Sequence, residues 1–301
     1  LSRCYRTRLP AGSDVEWMEL RQQALSNIRK KGNTNMFLTC HYFSKVLMHN
    51  TEINVVIPTP EGNEQITEAG PVQRYDYENG LPVVYLLHGA YGDNSSWVRF
   101  SNIERYAQAH NIVAVMASVE NSLYQDMVHG NKYFTFISEE LPSFITTLFP
   151  VSKKREDTYI CGFSMGGYGA WFIGLSCPEK YGKIAGMSAA MDVAGLADEA
   201  QKGNIEAPFP FHDIFEDPAH LAGGDKDIFE LYRRDAEKGC VPELYQACGT
   251  KDFMYQMNED ANRRLTEMGA KITYSVTPDA MHNWDYWDSE LPKILDWMMQ
   301  K

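Results

Sequence analysis

Gly162-Phe163-Ser164-Met165-Gly166 places a serine between two glycines, the spacing G-x-S-x-G. The pattern is weak alone, so its flanks decide its meaning. A β-rich stretch, Thr158-Tyr159-Ile160-Cys161, leads in, and a helix opening on small residues, Gly166-Gly167-Tyr168-Gly169-Ala170, leads out. A strand, a tight turn and a helix in that order form a nucleophile elbow, which lifts the serine hydroxyl beyond the sheet. The elbow strains the serine backbone, and side chains at 162 and 166 would collide. The start of the following helix points its dipole at the reacting oxygen and favours negative charge there.

A serine hydroxyl needs a base, and the base needs an orienting acid. On this architecture the chain order is serine, acid, histidine. Three histidines follow Ser164: His212, His220 and His282. His282 is favoured because it follows the last expected strand, after Thr277-Pro278-Asp279-Ala280-Met281, whereas the other two lie in a long mixed excursion, 192–240. The acid should follow the preceding strand. Glu243–Ala247 runs into Cys248-Gly249-Thr250-Lys251-Asp252, so Asp252 is chosen over Asp225, Asp227 and Asp279, the last read as a turn former after Pro278. Leu86-Leu87-His88-Gly89-Ala90-Tyr91-Gly92 ends another buried strand, and its loop can supply one backbone N–H to an oxyanion. Ala90 is assigned that donor and Met165 the second. His88 is read as structural, hydrogen-bonded under this loop.

The elements that must position these groups are legible as hydrophobic runs. Cys40–Leu47 and Ile53–Pro58 read as a hairpin or meander, and 59–80 as a polar surface loop. Pro82–His88 and Asn111–Ser118 are continuous apolar runs, the signature of strands buried on both faces. Shorter strands are expected at Thr158–Cys161, Lys183–Ser188, Glu243–Ala247 and Lys271–Val276. Helices are expected at Ile103–His110, Phe134–Phe149 despite Pro142, Gly167–Leu175, Tyr255–Met268 and Ser289–Met299. This alternation predicts an α/β class protein, a three-layer sandwich with a mostly parallel central sheet and a loop and helix insertion over the site. Ligands on such sheets bind beyond the carboxyl ends of the strands.

Residues 1–35 read differently. Ser13 to Glu16 is a capping box, and a helix from Asp14 to about Lys31 ends at Gly32. The expectation is a helical extension, 1–35, appended to a catalytic domain, 36–301. The 301 residues carry a net charge of -12, which argues against nucleic acid and anionic membranes as partners. Six cysteines lack C-x-x-C or zinc spacing and read as free thiols, which fits a reducing compartment. No apolar run is long enough to span a bilayer and the N-terminus has no apolar leader, so a cytoplasmic protein is expected. No metal or other cofactor is needed, and a homo-oligomer is allowed.

Four separated segments carry a family likeness: LLHGAYGDNSSW at 86–97, CGFSMGGYGA at 161–170, CGTKDF at 248–253 and HNWDYW at 282–287. Together they resemble the esterase D-like branch of the α/β-hydrolases, most closely the bacterial tributyrin esterases. Feruloyl and acetylxylan esterases and S-formylglutathione hydrolases belong to the same branch. Over about 40–300 the resemblance implies the α/β-hydrolase fold, Ser164, Asp252 and His282 as triad, and Ala90 and Met165 as oxyanion donors. It implies a serine carboxylesterase acting on a small-molecule ester, with an acetyl to butyryl or a feruloyl-type acyl group. Acyl transfer uses the same acyl-enzyme and is the alternative, with a non-catalytic binding module disfavoured because the triad is complete. S-formylglutathione hydrolases usually carry a serine-glycine pair where this chain has His88-Gly89, so a glutathione thioester is not the first expectation. Trp97, Tyr124 and Trp284 are expected to line the substrate site. Trp287, Phe209, Phe211 and Phe215 are further candidates for an aromatic wall.

Overall fold

The computed structural model describes residues 36–60 and 75–300. The helix expected at Asp14–Lys31, the proposed boundary before Met36 and most of the 59–80 loop lie outside the described residues. The chain starts with a hairpin, β1 (Met36–Ser44) and β2 (His49–Ile57), followed by β3 (Val83–Leu87), helices α1 (Ser96–Phe100) and α2 (Ile103–His110), and β4 (Val113–Ala117). A helical segment enters through a wide π turn at Phe136–Glu140 and continues as α3 (Leu141–Leu148). Then come β5 (Thr158–Phe163), α4 (Met165–Ser176), β6 (Lys183–Met187), α5 (Val193–Gln201), α6 (Ile228–Lys238), β7 (Glu243–Gly249), α7 (Tyr255–Glu267), β8 (Ile272–Thr277) and α8 (Trp284–Met299).

The strands form one sheet in the order β1-β2-β4-β3-β5-β6-β7-β8. β1 and β2 run antiparallel, as do β2 and β4, and every later pair is parallel. The apolar runs explain why. β3, β4 and β6 are buried at every position, so alternate residues must face two separate cores. Val83, Tyr85 and Leu87 enter a core roofed by α3 to α7, whereas Val84 and Leu86 enter a second core with α1, α2 and α8. This is the expected three-layer α/β-hydrolase arrangement.

Several boundaries differ from the expectation for local reasons. The hairpin is longer and starts at Met36. Pro142 lies inside the continuous helical segment of the π turn and α3, and Ser138 O, four residues before it, accepts from Lys180 Nζ at 2.9 Å in place of the N–H that proline lacks. α8 starts at Trp284 rather than Ser289, because the Asn283 side chain accepts the Tyr286 N–H and caps it. The 192–240 excursion is an ordered, largely helical insertion. Phe209, Phe211 and Phe215 are buried in the first core, so their aromatic surface is used in packing. The insertion is pinned to the elbow helix, where the Tyr168 hydroxyl donates to Lys226 O at 2.9 Å. Five cysteines among the described residues are free thiols.

The π turn has a positional consequence. It brings the Glu140 carboxylate under the β1–β2 turn, where it accepts the Lys45 N–H at 2.7 Å, the Val46 N–H at 3.3 Å and the Ser44 hydroxyl. Charge-assisted bonds to a turn are worth about 1.5–3 kcal/mol each, less where water competes. Glu140→Ala should lower stability by about 1–3 kcal/mol in urea unfolding, while leaving ester turnover unchanged, because this turn joins the two strands at the sheet edge, with β4 and β3 between them and β5.

Candidate active site

The site assembles on the carboxyl ends of β3, β5, β6, β7 and β8. Ser164 follows β5 with φ 55° and ψ -120°, a region a non-glycine residue enters only under constraint. The constraints are visible: its N–H donates to Met187 O at 2.9 Å, and its carbonyl accepts the N–H groups of Tyr168 and Ala190 at 3.2 Å. The glycines permit the turn. A Cβ on Gly162 would lie 2.2 Å from Gly166 O, and one on Gly166 would lie 2.4 Å from Leu87 O and 2.5 Å from His88 O. The second contact brings the loop after β3 over the start of α4, so Ala90 and Met165 belong to segments in direct contact. The next two donors of that loop are taken, the Tyr91 N–H by Asn121 Oδ1 at 2.8 Å and the Gly92 N–H by Gly89 O at 3.2 Å.

The loops after β7 and β8 are laced together. Thr250 N–H donates to Thr277 O and Lys251 N–H to Ala280 O, both at 3.0 Å, and Asp279 N–H donates to Thr250 Oγ1 at 2.9 Å. A Cβ on Gly249 would sit 2.3 Å from Ala280 O, so a glycine there allows this approach. The result puts His282 Nδ1 2.9 Å from both oxygens of Asp252, and His282 Nε2 3.0 Å from Ser164 Oγ. The carboxylate fixes the tautomer: Nδ1–H donates to Asp252, leaving Nε2 to accept the Ser164 hydroxyl proton. The Asp252 side chain is 0% exposed and that of His282 15%. Burial alone would raise the Asp252 carboxyl. Hydrogen bonds from His282 and the Met254 N–H, with the Ser188 hydroxyl nearby, outweigh it and hold the group below the ordinary carboxylate value.

The rejected alternatives have other work. Asp279 sits at φ 60° in a turn, paired with Lys251 at 2.8 Å. Asp227 caps α6 by accepting the Phe229 N–H, and His220 is a surface residue beside Asp217. His88 is buried with both ring nitrogens used: Nδ1–H donates to Gly89 O at 2.7 Å and Nε2 accepts the Val119 N–H at 3.0 Å. Only the neutral ring satisfies both. Burial pushes its pKa down, against weaker opposing effects from Gly89 O and Asp93.

Two expected substrate contacts are corrected. Trp97 and Tyr124 are each 0% exposed. Trp97 Nε1–H donates to Leu87 O at 3.2 Å, and the Tyr124 hydroxyl donates to His88 O at 2.8 Å. They brace the loop after β3 from beneath, so they cannot touch a ligand. Trp284 is half-buried against Trp97, Phe100, Phe163 and Trp287. The exposed aromatics beside the reacting groups are Phe253, with its ring 4.3 Å from that of His282, and Tyr91, next to Ala90. Neither was singled out from sequence, although each adjoins a residue that was. Among the described residues no cluster of His, Cys, Asp and Glu could hold a metal ion.

A family described as "Putative esterase" matches residues 70–298. An acetyl esterase of Caldicellulosiruptor saccharolyticus is 33% identical over 264 residues, covering 86% of this chain and 96% of that protein. Among solved structures, the substrate-bound fluorophosphonate-binding serine hydrolase F of Staphylococcus aureus superposes with a TM-score of 0.77 at 28% identity, over 89% of this chain and 99% of that one. An S-formylglutathione hydrolase of the same organism gives 0.73 at 27%, over 89% and 100%. A ferulic acid esterase gives 0.67 at 25%, over 88% and 98%. The chain belongs to this esterase family of α/β-hydrolases and is a serine carboxylesterase.

Gly166→Ala forces its new methyl into two backbone carbonyls, so stability should fall by at least about 2 kcal/mol in urea unfolding. Ester turnover should drop further than the unfolded fraction explains, because the loop carrying Ala90 is displaced. His88 generates a pH dependence. Its pKa is lower folded than unfolded, so its contribution is complete above the unfolded value of 6.5 and is lost as pH falls from there through the folded value. Urea unfolding between pH 8 and 5 should therefore show stability declining on the acid side, with a flatter slope in His88→Gln.

Proposed function

We propose, from the premise that the chain is a serine carboxylesterase, that Ser164 is its nucleophile, His282 its general base and acid, and Asp252 the group that orients His282. Ala90 and Met165 then supply the oxyanion N–H groups. The observation that carries this reading is the hydrogen-bonded line from Ser164 Oγ through His282 to Asp252, at 3.0 and 2.9 Å. His282 Nε2 takes the hydroxyl proton as Oγ bonds to the ester carbonyl carbon. The carbonyl oxygen becomes an oxyanion, which accepts hydrogen bonds from the Ala90 and Met165 N–H groups beside the positive end of α4. Collapse breaks the bond to the alcohol oxygen, which leaves with the proton from Nε2. A water repeats the sequence on the acyl-enzyme, and the carboxylic acid departs. Asp252 remains a carboxylate throughout and stabilises the imidazolium.

The substrate is a small ester with a short acyl group, acetyl to butyryl. The acetyl esterase relative supports this. Trp97 and Tyr124 fill the space beneath the loop after β3, which leaves Phe253 and Tyr91, 73% and 85% exposed, as aromatic surface at the site. That surface suits the flat or apolar part of an alcohol or aryl group.

The test is a series of p-nitrophenyl esters from acetate to octanoate, with methyl ferulate and S-formylglutathione beside them. The wild type should be fastest on acetate to butyrate. Ser164→Ala should lose at least about a thousandfold in kcat, as removal of a triad nucleophile does. Unchanged turnover in Ser164→Ala would overturn the assignment, and a clear preference for methyl ferulate or the thioester would overturn the acyl range.

A further inference from the structure

Asn258 on α7 and Gln246 on β7 are both fully buried. A buried amide is tolerated only where its hydrogen bonds are made. Asn258 Nδ2 donates to Met254 O and to Ala189 O, each at 2.9 Å, and Asn258 Oδ1 accepts from Gln246 Nε2 at 3.1 Å. The partners fix which way the amide points: a carbonyl oxygen only accepts, so Nδ2 must face Met254 and Ala189. Gln246 Nε2 also donates to Asn258 O at 2.9 Å, which holds the residue by main chain and side chain together. The two carbonyls belong to segments that carry opposite halves of the site. Met254 follows the acid by two residues, and its N–H donates to Asp252 Oδ1 at 2.8 Å. Ala189 precedes Ala190, whose N–H donates to Ser164 O at 3.2 Å. Ala189 also packs on the elbow helix, since a Cβ on Gly167 would lie 2.6 Å from Ala189 Cβ.

We propose that Asn258 is a positioning residue for this esterase: its Nδ2 ties the turn that holds Asp252 to the loop that supports the Ser164 elbow, and so sets the separation of Ser164 Oγ from His282 Nε2. This rests on the triad reading above. Asp252 and His282 already form one body, because the loops after β7 and β8 are bonded together. That body must still be registered against the elbow, which follows β5, two strands away from β7. The sheet does part of this, since Ser188 N–H donates to Ala247 O at 2.8 Å and extends the β6–β7 ladder by one bond. The Asn258 amide continues it beyond the strand ends, where the reacting groups are. Proton transfer between Oγ and Nε2 tolerates little error, and a misplacement of about 1 Å can cost about a hundredfold. None of the hydrogen bonds of Asn258 reaches a reacting atom, so it acts only through the two segments it joins.

The experiment compares Asn258→Leu, Asn258→Ser and Gln246→Leu with wild type on p-nitrophenyl acetate across the acid and neutral pH range, with Ser164→Ala alongside and thermal unfolding to verify folding. Leucine is close to the amide in size. Both carbonyls keep a partner without the amide, Ala189 O the Met191 N–H at 2.9 Å and Met254 O the Asn258 N–H at 3.0 Å. Asn258→Leu should lower kcat about ten- to a hundredfold with little change in KM. Its pH profile should fall in height with the acid midpoint unmoved, because the Asp252–His282 pair stays intact. A serine hydroxyl can bond the carbonyl four residues back in its own helix but is too short to reach Ala189 O, so Asn258→Ser should lose as much as Asn258→Leu. Wild-type kcat in Asn258→Ser would show that the bond to Ala189 positions nothing, and would overturn the proposal. A moved midpoint would overturn it too, by placing the damage inside the acid–base pair. If neither variant at 258 folds, Gln246→Leu decides: it frees the amide to turn away from the two carbonyls and should lower kcat in the same direction, and wild-type kcat there rejects the proposal. Retained activity in Ser164→Ala would instead defeat the triad reading, whatever the Asn258 variants do.

Discussion

A hydroxyl can stand clear of a sheet edge only if the backbone beneath it turns where side chains rarely allow, and Ser164 at φ 55° and ψ -120° meets that requirement. Such a conformation costs about 1–3 kcal/mol, and the neighbours that hold it define the rest of the site. Gly162 and Gly166 give up their side chains so that backbone carbonyls from the elbow and from the loop after β3 can close to contact. That loop must then be supported from below, which is the work of Trp97, Tyr124 and His88. Each of them binds a main-chain group of the loop or of the strand end beside it. The helix behind the elbow is buried from Met165 to Leu175, so the serine rests on a core element that cannot relax without opening the sheet.

The proposed acid and base are held by a different device. Asp252 and His282 belong to loops that follow neighbouring parallel strands, and loops are ordinarily the mobile part of a domain. Here three hydrogen bonds join the two loops to each other, and α8 starts two residues after His282 on the Asn283 cap. The pair therefore moves as one body. Electrostatics reinforces it: a carboxylate with no exposed surface is tolerable only with several donors, and those donors also fix its rotation. His88 shows the opposite solution in the same neighbourhood. Both its nitrogens are consumed as a neutral ring, which removes a second imidazole from the proton chemistry.

The sheet was legible because strands buried on both faces read as unbroken apolar runs, and Val83–Leu87, Val113–Ala117 and Lys183–Met187 lie inside the segments expected from that signal. The chain-order rule left several candidates, and the position directly after an expected strand singled out Asp252 and His282, which the structure brings to Ser164. The aromatics were harder. Trp97 and Tyr124 neighbour the site in sequence, and residue type cannot distinguish a side chain that lines a pocket from one that props up its wall; only the hydrogen bonds to Leu87 O and His88 O decide. The early start of α8 was hidden because its cap is an asparagine immediately after the histidine, inside what reads as a loop.

These contrasts bear on where specificity can reside. Every group proposed to handle protons or charge is fixed by main-chain contacts or by a buried partner, so substitutions there disturb the fold as well as the reaction. Phe253 and Tyr91 carry no such burden. Both project into solvent from loops whose geometry is set by neighbours: Asp252 on one side, Ala90 and the Asn121 bond on the other. A change of side chain at either position alters the surface a substrate meets without loosening the elbow, the acid or the oxyanion loop. The acyl-transfer chemistry can therefore stay constant while the ester it accepts is set by a few exposed side chains around it.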